Sequence, residues 1–164
     1  MIIKQEELQM IAPSPLSALH IVSALLGVAM ALVFGAILGV ERQIGRKPAG
    51  LRTHMLVSLG SALLILVPLQ IVATAAEGRD AISRVIQGIA AGVGFIGAGE
   101  ILRETQSQAR IERVRGLTSA AAIWVSAGLG IAAGCGLWQT GLVGSVLALI
   151  VLSVFKRLEQ PRKG

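Results

Sequence analysis

The chain has 164 residues, enough for one domain; 54% of them are hydrophobic, only 15% are charged, and the mean hydropathy is +0.75. A soluble domain carries about 25% charged residues, so this composition disfavours a soluble globular fold, and it excludes disorder, which needs low hydrophobicity. The single Cys rules out an intrachain disulfide and a Cys-built zinc site, and the net charge of +6 has to be judged by where the charges fall.

Residues 1–16 include Glu6 and Glu7 where a secretory signal would be basic, and read as a short extracytoplasmic arm ending at Pro13 and Pro15. A charge-free run at 17–40 follows, long enough for one helix across a hydrocarbon core of ~30 Å. Its Gly27, Ala31, Gly35 and Gly39 stand four apart and form one smooth face for a neighbouring helix, since lipid removes the hydrophobic drive and close approach needs small residues. The basic loop Arg42–Arg52 turns at Lys47-Pro48-Ala49-Gly50. Glu41-Arg42 and Arg52 read as a salt-bridged hairpin and lipid anchor, with a partner-contact surface as the alternative.

A second span is expected over 53–75, with Thr53 as its cap and His54 as a polar anchor near the interface. The third is expected over 85–102. Just before it, Asp80 and Arg84 suit helix capping and an i, i+4 pair; an external Mg²⁺ site with Glu77 is the weaker reading because arginines flank it. Gln87 suits an interhelical hydrogen bond. Gly88, Gly92 and Gly99 share a narrow sector, with Gly94 and Gly97 on the other side, so this helix is expected to touch neighbours on two faces and to sit centrally. Glu100 lies one turn from the end of the span, where an ionisable group is either an interfacial ion pair or a functional carboxylate.

The last uncharged run, 117–155, is long enough for two spans, 117–134 and 138–155, broken at Gly134-Cys135-Gly136. Trp138 fits an aromatic belt and Trp124 is expected to pack inside the bundle. Residues 156–164 form a basic tail.

The fold class is therefore all-α, a five-span transmembrane bundle over 17–155; the runs lack the period-two alternation of a barrel. Alternate loops hold twelve and three Lys/Arg, which places the N-terminus outside and the C-terminus in the cytoplasm. The basic charge is thus an orientation signal that draws anionic lipid, not nucleic acid.

Three blocks, ERQIGRKPAGLRTHMLVSLGSAL (41–63), DAISRVIQGIAAGVGFIGAGEILR (80–103) and RGLTSAAAIWVSAGLGIAAGCG (115–136), resemble the signature blocks of the MgtC/SapB family in order and spacing. The resemblance implies a multi-pass protein of the bacterial inner membrane, linked to magnesium limitation and virulence-type survival. For the MgtC branch it implies a regulator that restrains the ATP synthase. That branch continues into an ACT-like domain, whereas nine residues follow the last span here, so a short SapB-like member is the expectation. No catalytic set, phosphate loop or metal motif is legible, so neither enzyme nor cofactor is expected. The competing functions are a regulator acting by helix contact, a small channel or transporter for Mg²⁺ or protons, and a self-assembling homo-oligomer.

Overall fold

A computed structural model describes residues 18–71, 75–106 and 116–155. They form five helices: α1 (Ala18–Ile44), α2 (Leu51–Ile71), α3 (Ala75–Gln106), α4 (Leu117–Gly134) and α5 (Trp138–Ile150), which continues in a π-helical turn, Val151–Phe155. No strand occurs among the described residues. Four helices are long and apolar enough to cross a membrane, and the apolar stretch Trp138–Val154 is slightly shorter. The protein is a multi-pass membrane protein, and its exposed faces agree with that. Leu25, Leu26, Phe95 and Val143 all point outward, Phe95 with 83% of its surface accessible. Such a surface would be a liability in water and costs nothing against acyl chains.

The helices outrun the charge-free segments that predict them. α1 extends to Ile44 instead of residue 40, because Glu41, Arg42 and Gln43 continue the helix beyond the apolar run. α2 starts at Leu51, two residues early, so Thr53 lies inside the first turn and is not the cap. Instead, the Leu51 amide donates to Gln43 Oε1 at 3.4 Å. α3 begins at Ala75, ten residues before the predicted span. A span is set by the bilayer but a helix is not, and polar turns outside the hydrocarbon keep their hydrogen bonds.

The loop ends are tightly closed. The amides of Gly45 and Lys47 donate to Glu41 O and Arg42 O at 2.9 and 3.0 Å, while Arg46 adopts a left-handed φ of 51°. That conformation ends a helix and is strained for a residue with a side chain. At the Gly134-Cys135-Gly136 break, Gly136 takes φ 73° and the Leu137 amide donates to Ala132 O at 2.8 Å. Glycine suits that left-handed position.

The centre of the bundle is α4, which touches each of the other four helices; α3 packs chiefly on α4 and α2. The central place expected for α3 is therefore corrected. Small residues on two faces permit close approach but do not compel it. One core layer joins Ala31, Phe34 and Leu38 of α1 to Ala62 of α2 and to Leu129 and Ala133 of α4. A second joins Ala49, Ile89, Val93, Ile123 and Ala127. Trp124 is not in either layer: 54% of it is exposed, which overturns the expectation that it packs inside. An indole faces acyl chains without penalty, so nothing drives it inward.

Candidate functional site

Two features stand out: a buried polar joint at the end of the bundle where Arg42 and Gly50 lie, and an open groove along α3.

The joint is built by glycine. A Cβ on Gly35 would lie 2.7 Å from His54 O, and one on Gly39 2.7 Å from Leu51 Cα. Both are backbone atoms that cannot rotate aside, so α1 and α2 meet at a distance only glycine allows. Further along, a Cβ on Gly27 would lie 2.9 Å from Ala133 O of α4. Ala31 completes this face: it is fully buried and its carbonyl accepts from Ser58 Oγ at 2.7 Å.

Close approach at Gly39 seals His54, which has no exposed surface. The sequence reading placed it as an interfacial anchor; the backbone contact at Gly39 is what buries it. Its Nδ1 lies 2.9 Å from Gly50 O. A carbonyl only accepts, so Nδ1 carries the hydrogen and Nε2 is left with a lone pair in the neutral ring. That Nε2 is buried with no hydrogen-bond partner among the described residues.

Arg42, one turn beyond Gly39, is 3% exposed and donates from Nη2 to Ser119 Oγ of α4 at 2.6 Å. Beyond the expected hairpin, Arg42 thus also ties across to the fourth helix. Arg52 is exposed. Glu41 and Glu100 are half-buried, and each keeps one buried carboxylate oxygen, Oε2 and Oε1 respectively, without a hydrogen-bond partner among the described residues. Ser119, Ser58 and Gln43 were missed by sequence reasoning. Only the serine in the RGLTSA block could have been singled out, since the Arg42–Ser119 pair spans 77 positions.

At the other end Asp80, Arg84 and Gln87 are exposed. Asp80 lies in the second turn of α3, so it cannot cap a helix that begins at Ala75. Gln87 Nε2 donates within its own helix, to Ser83 Oγ at 3.4 Å, rather than across to a neighbour. The side chain of Glu77 lies outside the described residues. No three His, Cys, Asp or Glu side chains among the described residues come together to hold a metal ion.

The groove runs between α2 and α3, encloses about 500 Å³ and is floored by Gly60, Ser61, Gly88, Ile89, Gly92 and Val93. Of the α3 glycines, Gly97 is in contact, its Cβ position 3.2 Å from Ala120 Cβ of α4. A Cβ on Gly88, Gly92, Gly94 or Gly99 would meet nothing within 4 Å among the described residues, and neither would one on Gly60 across the groove.

Comparison with known proteins identifies the relatives of this architecture. The chain is 50% identical over 139 residues to the protein SrpB of Synechococcus elongatus, covering 80% of this chain and 74% of that one. It is 44% identical over 132 residues to YhiD of Escherichia coli strain K12, named as a candidate magnesium transporter, with 78% and 58% covered. It is 37% identical over 125 residues to the protein MgtC of Salmonella typhimurium, with 76% and 49% covered. The chain therefore spans only about half to three quarters of the length of these relatives. No solved structure gives a significant match. The MgtC family pattern matches residues 28–161, from the glycine ladder of α1 to beyond the last helix, and the chain belongs to the MgtC family.

Proposed function

We propose that the chain is a non-enzymatic regulator of the bacterial inner membrane that acts by docking α3 against a helix of a larger membrane complex. By family resemblance that complex is the F-type ATP synthase, and the setting is magnesium limitation or a related stress. The observation that carries this reading is the open α2–α3 groove. Gly60, Gly88 and Gly92 would each accept a Cβ without meeting another atom, unlike the filled glycines of α1. Small-residue faces of this kind let two backbones approach closely in lipid.

A second reading, a small channel or transporter for Mg²⁺ or protons, draws on the half-buried Glu100 with its unpartnered oxygen and on the name of the relative YhiD. Inverted membrane vesicles separate the two. Acidification is followed by dye quenching, driven first by ATP and then by NADH, with and without the protein. The regulator lowers the ATP-driven signal alone; a leak lowers both. The variant Gly88→Leu/Gly92→Leu places bulk in the groove at positions where a Cβ is free, and is expected to restore the ATP-driven signal at equal protein level. If neither signal responds to the protein, the ATP synthase reading fails. If the groove variant inhibits as well as the wild type, docking through α3 fails.

A further inference from the structure

His54 is unused by the docking reading. A neutral imidazole is buried in an α1–α2 joint that glycine closes, and its one free hydrogen-bonding position is a lone pair. A buried acceptor without a donor costs about 1–3 kcal/mol, so the native joint sustains this strain unless the atom has a use. Among the described residues, the charged groups that act on the ring are Arg42 and Glu41, both from α1. From α4 the joint receives Ser119, which reaches it through Arg42 and does not titrate. From the loop it receives the Gly50 carbonyl, which already holds Nδ1–H.

The geometry points to His54 Nε2 as a proton-binding site, through which acidification at this end of the bundle loosens the seating of α1 on α2 and α4. The step is an uptake of one proton from water by the Nε2 lone pair; an N–H bond forms, none breaks within the protein, and the proton returns to water when the pH rises. Protonation replaces a lone pair with a donor and adds a positive charge beside the Arg42 guanidinium. The new N–H needs an acceptor, and Glu41 holds a buried oxygen without a donor among the described residues. Meeting that oxygen moves the end of α1 relative to Gly39, where the backbones leave no slack. The ring therefore cannot change its charge without shifting the joint. This inference stands apart from the groove on α3 and survives or fails on its own.

The chain has only two histidines, so a His20→Gln variant carries His54 as its one imidazole. In lipid nanodiscs its ring ¹⁵N resonances report tautomer and protonation from pH 8 to pH 5. The expected result is the Nδ1–H tautomer at pH 8, passing to the doubly protonated ring as the pH falls. Movement is read with spin labels at Lys47→Cys and Leu117→Cys on a Cys135→Ser background. The label distance is expected to change between pH 8 and pH 5, and to stay fixed in the added presence of His54→Asn. Asparagine keeps a donor where Nδ1–H sits, so the Gly50 bond and the fold survive while the titrating ring is lost. An Nε2–H tautomer at pH 8, a ring that never takes the second proton, or the same distance change in His54→Asn would each overturn the inference.

Discussion

Replacing Gly130 with alanine tests whether glycine sets the spacing of this bundle. Gly130 sits in the central helix α4 against the backbone of Ser58 in α2, where an added Cβ would lie 2.8 Å from the carbonyl carbon and 2.9 Å from Cα. Real Cβ atoms essentially never come within 3.0 Å of another atom, and Ser58 O lies nearer still than its carbon, so the helices must part by about an ångström. No side chain can rotate away to relieve it. Ser58 also donates to Ala31 O of α1 at 2.7 Å, so retreat of α2 from α4 disturbs its seating on α1 too. Overpacking costs about 1–3 kcal/mol. The interhelical hydrogen bond is worth ~0.6 kcal/mol in a membrane. Against these, alanine gains about 1 kcal/mol over glycine in helix propensity. The net expectation is a loss of roughly 0.6–2.6 kcal/mol, or about 1–10 °C in melting temperature for a chain of this size. The assay is a thermal scan in detergent with a thiol-reactive fluorophore, because Cys135 is half-buried and the only thiol. Gly92→Ala, at an open position, is the control and is expected to hold or gain stability. Equal melting temperatures for the two variants would refute glycine-set spacing.

Three further outcomes follow from particular contacts. Ser119→Ala removes the hydroxyl that accepts from the buried Arg42 Nη2; the same thermal scan is expected to show a loss of about 1–3 kcal/mol, and Ser119→Thr, which keeps a hydroxyl, a smaller one. Burial pushes the Cys135 thiol above its ordinary pKa. The thiolate is the reactive form, so maleimide labelling of the folded protein is expected to be slower than that of an exposed cysteine at neutral pH and to be still rising beyond about pH 9, where an ordinary thiol levels off. Trp124 faces outward, so its fluorescence is expected to fall strongly in brominated lipid in a Trp138→Phe background; an unquenched signal would return it to the interior.

The number and type of the helices were legible because the bilayer writes them as long uncharged runs. The Gly134-Cys135-Gly136 break was legible because a left-handed residue has to close α4, and Gly136 takes that role. Helix ends were less so: α3 begins at Ala75 although Arg79, Asp80 and Arg84 follow, since a helix outside the hydrocarbon tolerates charge. Burial was hardest to read. In water a Trp or a Phe points to the core, but Trp124 and Phe95 face outward here because lipid and core are equally apolar. The polar joint stayed hidden for another reason. Arg42 reads as one more basic flank of a span, and nothing local marks Ser119 as its acceptor.

Two classes of glycine in this chain differ in what they face, although the sequence writes them identically. Those of the first class, Gly27, Gly35, Gly39 and Gly130, face backbone atoms at distances no Cβ tolerates, and the fold requires them. Those of the second, Gly88, Gly92, Gly94 and Gly99, face open space. Each costs about 1 kcal/mol relative to alanine in a helix interior. Among the described residues nothing offsets that cost, since no neighbour exploits the missing Cβ. A helix from another polypeptide would, because a glycine face is worth its penalty only where a second backbone comes close. Lipid gives no such return: acyl chains conform to alanine as readily as to glycine. The clustering of the second class on α3, the helix least embedded in the bundle core, is therefore the strongest physical ground for proposing a partner contact there and not on α1, whose glycines are already consumed in holding the bundle together.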